Sequence, residues 1–224
     1  MDWANLLKSE LRRHAEDWAD MGDLPTYNSR GRPGTLLFAP DSRHHGNLFA
    51  DAYAEVLADS EWQSRLKKPH PQRKHLPDER QSSAMELDST NSSDALLMNC
   101  FCVPGASVRL AAVLGASPPD ARPQFGVRGV VRLVNGSADS TELDMVLGDT
   151  IVEAKLTEAD FTSRPAAHLE RYADFSEVFD REVLPKEAEK YRGFQLIRNV
   201  LAARQHGRRF VVLIDARRPD LLQE

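Results

Sequence analysis

Two carboxylates and an amine stand close together in Glu142-Leu143-Asp144-Met145-Val146-Leu147-Gly148-Asp149-Thr150-Ile151-Val152-Glu153-Ala154-Lys155. Gly148 at the first position of a two-residue loop suits a type II′ hairpin turn, which sets Leu147 opposite Thr150. Counting outward from that turn puts Asp144 opposite Glu153 and Glu142 opposite Lys155. Opposed residues share a face with Cβ atoms about 5 Å apart. Lys155 shares that face with Glu153, because side chains alternate along a strand. Carboxylates facing each other are destabilising unless a positive group lies between them. Mg2+ suits that place, being a hard ion held by one or two carboxylates, water and phosphate oxygens. Lys155 beside it would orient an attacking water and stabilise charge developing on phosphorus. The chemistry of this pattern is phosphodiester hydrolysis. An exposed ladder of cross-strand charge pairs is the alternative reading of the same four residues.

The elements that must position these groups follow from periodicity. Trp3, Leu6, Leu7, Leu11 and Trp18 recur at helical spacing and predict a helix over 2–20. Pro25, Gly31, Pro33, Gly34, Pro40 and Gly46 predict a loop over 21–47. Phe49, Tyr53, Val56, Leu57 and Leu66 mark a helix over 48–66. Asn91-Ser92-Ser93 supplies N-cap candidates for a helix running to about 102. A short helix is expected over 106–114, a β-rich run over 125–134, and strands over 141–147 and 150–156. A long helix over 186–205 is followed by Phe210-Val211-Val212-Leu213-Ile214, which reads as a central strand buried on both faces. The order gives an α/β fold with a mixed sheet.

The chain has 224 residues and a formal net charge of -5, which bounds it to one domain or one domain plus an appendage. Its longest apolar run falls short of the roughly 18 residues a membrane span needs. Glu10, Glu16, Asp17 and Asp20 do not belong in a secretory or transit peptide, so cytoplasmic residence is expected. Charge is unevenly spread: acids dominate from Asp139 to Glu189, and arginines from Arg192 to Arg218. A second basic stretch, from Arg65 to Arg80, reads as a solvated or disordered linker over 67–83. Two basic stretches on an acidic chain can bind a polyanion locally. Cys100 and Cys102 lack the four ligands of a structural zinc site and read as small buried residues. His44-His45 has no partner at ligand spacing and reads as loop.

Asp144, eight intervening residues and Glu153-Ala154-Lys155 resemble the PD-(D/E)XK nuclease superfamily, the restriction-endonuclease-like fold. The chain is most similar to bacterial families with an Asn-Ser-Ser helix and a Gln-Leu-x-Arg-Asn helix. Those are matched here by Asn91-Ser92-Ser93 and Gln195-Leu196-Ile197-Arg198-Asn199, and Phe210 to Arg217 resembles the strand that follows. The resemblance implies a mixed β-sheet core flanked by helices over 91–224, with 1–90 as a helical extension and basic linker. It implies a metal-dependent DNA endonuclease, with Asp144, Glu153 and the Ala154 carbonyl as Mg2+ ligands and Mn2+ as a substitute. Lys155 would be the catalytic lysine, and Gln195 would reach toward the metal or its water. Asn91, Ser93, Asn99, Arg198, Arg208 and Arg209 are the expected nucleic-acid contacts, and a homodimer would let both strands be cut. Leu143 stands where the superfamily motif has Pro, and Asp94 where the similar families carry Gln. A binding module on the same fold without the chemistry, and an RNA-directed nuclease, are the alternatives.

Overall fold

A computed structural model describes residues 2–30 and 34–223. Helix α1 (Trp3–Gly22) is capped by Asp2, whose carboxylate accepts the Asn5 amide at 3.0 Å. The predicted loop then holds a two-stranded ribbon, β1 (Thr26–Asn28) against β2 (Leu36–Phe38). Gly31 and Pro33 lie outside the described residues. Helix 48–66 is broken into α2 (Ala50–Ala58), α3 (Ser60–Gln63) and a 3-10 turn, Ser64–Lys67. The break falls at Asp59, whose side chain accepts the amides of Glu61 and Trp62 and so restarts the helix. The expected linker folds into short 3-10 turns around a fully buried Leu76.

Helices α4 (Ser93–Phe101) and α5 (Ala106–Leu114) come next. Strands β3 (Gln124–Arg132), β4 (Ala138–Leu147) and β5 (Thr150–Lys155) form an antiparallel meander, as the sequence predicts. The chain continues through β6 (Ser163–Pro165), α6 (Ala166–Leu169), α7 (Phe175–Val178), β7 (Lys186–Glu187) and β8 (Lys190–Arg192). It closes with α8 (Phe194–Gln205) and β9 (Arg209–Ile214). The long helix predicted from residue 186 therefore starts only at Phe194. Gly193 holds φ +69° at its N-cap, and a small ribbon of β6, β8 and β7 takes the preceding residues.

The main sheet has strand order β3-β4-β5-β9, with β9 parallel to β5. Strand β9 is thus at the sheet edge and half-buried, not central and buried on both faces. The central position belongs to β5, every residue of which is buried. Helix α8 covers one face through Ile197, Leu201 and Ala202 against Val146 and Ile151. Helices α4 and α5 cover the other through Leu97, Phe101 and Ala111 against Met145, Leu147, Val152 and Ala154. This is a mixed α/β sheet flanked by helices. The helices before residue 90 share a core with α4, where Tyr53, Val56 and Trp62 pack with Ala95, Met98 and Cys102. Cys102 is buried as expected, but Cys100 is exposed. No single helix among the described residues is long and apolar enough to cross a membrane.

Candidate active site

The hairpin between β4 and β5 has the register its turn dictates: Leu147 pairs with Thr150, Val146 with Ile151 and Met145 with Val152. Gly148 takes φ +56° at the turn. One step further out the ladder changes. Asp144 does not simply face Glu153; its Oδ2 accepts the backbone N–H of Ala154 at 2.8 Å. Alternation along β4 also breaks at this residue. Leu143 packs with the α8 face, whereas Met145 packs with the α4–α5 face. The neighbouring strand switches in step, since Val127 joins the α8 cluster and Phe125 the opposite one. Between them Gly126 holds φ +63°, a conformation open to glycine and strained for other residues.

Glu153 and Lys155 lie on the α8 side of β5. Lys155 Nζ is 3.0 Å from Glu153 Oε1, and both residues are buried. Asn199 on α8 donates from Nδ2 to Glu153 Oε2 at 2.8 Å. Lys155 also stands over the Phe161 ring at 5.5 Å. Burial pushes the Asp144 carboxyl well above the ordinary range, and the Glu153 charge pushes it further. The Ala154 N–H and Lys155 oppose that shift only in part. Asp94 on α4 adds a third negative charge felt by Asp144.

The sequence gives Glu142 the wrong neighbour. It does not meet Lys155 but accepts Arg65 Nη1 at 2.9 Å and Lys68 Nζ at 2.6 Å. Arg65 also binds Asp94, and Lys68 lies 2.7 Å from Glu86 and 3.3 Å from Asp94. Part of the apparent basic patch is therefore spent internally, neutralising acids beside the site.

A cleft of about 510 Å3 opens alongside and is lined by Lys155, Gln195, Asn91 and Ser93, among others. Helix α8 starts against the loop that joins β5 to β6: the Phe194 and Gln195 amides donate to the Thr162 and Phe161 carbonyls at 3.0 Å, and Gln195 lines the cleft. On the α4 side Ser92 is the cap, accepting the Ala95 amide at 3.1 Å. Asn91 donates to Thr35 at 2.7 Å and Ser93 to Glu158 at 3.0 Å, so both line the cleft with their side chains tied. Lys8, His70 and His75, from the first 90 residues, line the same cleft.

Four of the expected contacts lie elsewhere or are committed. Asn99 bridges the Phe49 amide at 2.7 Å and the Asn47 carbonyl at 2.9 Å. Arg198 stacks on Phe194 at 5.0 Å. Arg209 pairs with Thr150 on β5, the end opposite Lys155, which puts it about 16 Å away along the strand. There it donates to Thr150 Oγ1 at 2.8 Å and to the Gly115 carbonyl, latching the hairpin turn. Arg208 adjoins it.

Hard-ion chemistry fits the carboxylates. Mg2+ asks for one or two of them with water and phosphate oxygens completing its shell, and Asp144 and Glu153 are crowded enough to raise a carboxyl pKa. Ala154 engages Asp144 through its N–H. The described residues hold no group of three His, Cys, Asp or Glu side chains arranged around one point. Asp94 and Asn199 were not among the expected site residues. Asn199 was within reach of sequence reasoning, since it follows Gln195 by one helical turn on the same face. Asp94 had no local signal beyond its place in the Asn-Ser-Ser helix.

The family model described as Restriction Endonuclease associating with ARP matches residues 12–224, and the chain belongs to that family. No curated protein and no solved structure matches it.

Proposed function

We propose that this member of a restriction-endonuclease family is a metal-dependent DNA endonuclease of PD-(D/E)XK type, with Asp144, Glu153 and Lys155 at its centre. The observation that carries the reading is the convergence of two crowded carboxylates and one buried lysine at the end of the central strand, beside a cleft. Mg2+, or Mn2+ in its place, would supply Lewis acidity and an activated water when held by Asp144, Glu153 and the Ala154 carbonyl. The chain's own residues do the rest. The Ala154 N–H and the Asn199 amide fix the two carboxylates in place. Lys155, held by Glu153 and Phe161, brings positive charge to the cleft wall, where a phosphodiester gathers negative charge. Gln195 presents an amide to the same space, and Asn91 and Ser93 form the opposite lip. A second subunit would provide the other cut of a duplex.

Supercoiled plasmid incubated with Mg2+ or Mn2+ should be nicked or linearised, and the cutting should vanish with EDTA or in Lys155→Ala. A folded protein that leaves the plasmid intact with either ion would sink this reading for duplex DNA. A second reading, a binding module without chemistry, is favoured by one observation: both Glu153 oxygens are already engaged, by Lys155 and by Asn199. Mg2+ titrated into the protein separates the two, since the module would show no saturable binding dependent on Asp144.

A further inference from the structure

The cleft lined by Lys155 and Gln195 has a second wall, built by the first 90 residues, to which Lys8 and His70 belong. The segment carrying His70 is held as a short ribbon. Glu86 donates its amide to the Lys68 carbonyl at 2.8 Å, Pro69 bridges to Met85, and His70 donates its amide to the Ala84 carbonyl at 3.1 Å. Lys68, two residues before the histidine, ties the ribbon to Asp94 and Glu142 beside the site. A stretch that reads in the sequence as a solvated linker is therefore a fixed support. His70 itself is 8% exposed. Its Nδ1 accepts the Gln72 backbone amide at 3.1 Å, so in the neutral ring the proton sits on Nε2. Burial and the nearby Arg73 charge both lower its pKa, and the neutral form prevails at pH 7. Nε2 has no partner among the described residues, and it is not one of the unpartnered atoms sealed from water. The polar atom that this ring offers the cleft is thus an N–H.

The rest of the lining shows what such a donor is for. Each acid of the cleft is already engaged: Glu86 lies 2.7 Å from Lys68, Glu158 accepts from Ser93 and from the Leu156 amide, and Asp160 accepts the Thr162 amide. The donors are not. Lys8 Nζ and the Gln195 side-chain amide, like His70 Nε2, meet no partner among the described residues. A surface whose acids are engaged and whose donors are open suits a ligand made of acceptors. A phosphodiester strand is such a ligand, with non-bridging oxygens and a negative charge at every repeat.

We propose that this wall grips the DNA substrate by its phosphates, with Lys8 neutralising phosphate charge and His70 Nε2 donating to a phosphate oxygen. The inference rests on the nuclease reading for the identity of the ligand. It gives the first 90 residues a share in holding the substrate. The neutral imidazole adds a directed hydrogen bond without displacing a counter-ion, whereas Lys8 displaces one.

Fluorescence anisotropy of a fluorescein-labelled DNA duplex, titrated with the full chain in EDTA, tests this without any cutting. Two substitutions of His70 separate a donor from a scaffold. His70→Asn keeps an acceptor near Nδ1 for the Gln72 amide but presents nothing at Nε2, and His70→Gln places an amide N–H near Nε2. The wild type should bind saturably, with affinity weakened at least about tenfold in His70→Asn and kept within about threefold in His70→Gln. A histidine that only supports the ribbon predicts the reverse order. In Lys8→Ala the slope of log affinity against log salt should become shallower by about one, and in His70→Asn it should stay unchanged. No saturable binding by the folded wild type, wild-type affinity in His70→Asn, equal loss in both His70 variants, or an unchanged slope in Lys8→Ala would overturn the proposal. Should neither His70 variant fold, the Lys8→Ala slope decides alone. Cutting is read separately on plasmid. His70-dependent binding with an intact plasmid would sink only the nuclease reading, and cutting with His70-independent binding would sink only this proposal.

Discussion

Lys155 Nζ lies 3.0 Å from Glu153 Oε1 at the end of the central strand, with both side chains nearly excluded from water. An isolated buried carboxylate is among the costliest groups a fold can carry, so each half of this pair depends on the other. Lys155→Met should destabilise the protein by about 3–5 kcal/mol, the cost of removing one partner of a buried pair. Chemical denaturation with and without Mg2+ checks it. If a cation binds Asp144 and Glu153, Mg2+ should recover part of the loss, whereas an inert module would show the same deficit in both buffers.

Asp144 is the opposite case, a carboxylate whose surroundings resist its charge. Asp144→Asn keeps an acceptor for the Ala154 N–H and removes the repulsion with Glu153. Without metal its stability should match the wild type or exceed it by up to about 1 kcal/mol. Plasmid cutting should fall to background in the same variant. A large loss of stability would mean that Asp144 is structural first.

Gly126 carries Arg65. A Cβ added there would strike the Arg65 guanidinium, and φ +63° is strained for any other residue. Gly126→Ala should cost about 1–2 kcal/mol from the backbone conformation alone, and it should free Asp94 and Glu142 from Arg65. Urea unfolding reads the first effect. Loss of cutting beyond what instability explains would show that the Arg65 clamp positions the site.

Asp88 predicts a pH dependence. Its carboxyl is raised from 3.8 to about 6 in the folded chain, chiefly by burial. The folded state therefore holds the proton more tightly, and this group's contribution is lost as pH rises from about 4 through about 6. His45, lowered from 6.5 to about 4, acts in the reverse sense across the same window and largely cancels it. Asp88→Asn removes one side of that balance. Its stability relative to wild type should grow by about 3 kcal/mol between pH 4 and pH 7. Parallel stability curves for the two proteins would show that Asp88 is paired in solution.

What the sequence made legible was local. Gly148-Asp149 fixed a register that the structure reproduces for three pairs, and Ser92 announced the start of α4. The reading failed where the deciding partner is distant. Arg65 and Lys68 looked like free positive charge, but their partners are Asp94 and Glu142, 29 and 77 residues from Arg65. Glu142 was set opposite Lys155 by a rule of alternation that Asp144 and Gly126 break. Residues 186–193 have helix-forming composition, yet Gly193 and pairing with β6 make them a ribbon. The apolar run of β9 suggested a central strand, but that place is held by β5, whose polar Glu153 and Lys155 disguise its depth. Each miss substitutes a tertiary contact for a local preference.

The bond from the Ala154 N–H to Asp144 has a consequence for how the protein can be watched. Most amides in a sheet are held by the neighbouring strand and exchange with deuterium only when the ladder opens. Ala154 is held instead by a side chain at the centre of the proposed chemistry. Its exchange rate is a clock set by that carboxylate. Cation capture at Asp144, or its replacement by a neutral residue, should change the rate at this one amide while Ile151 and Val152 keep theirs.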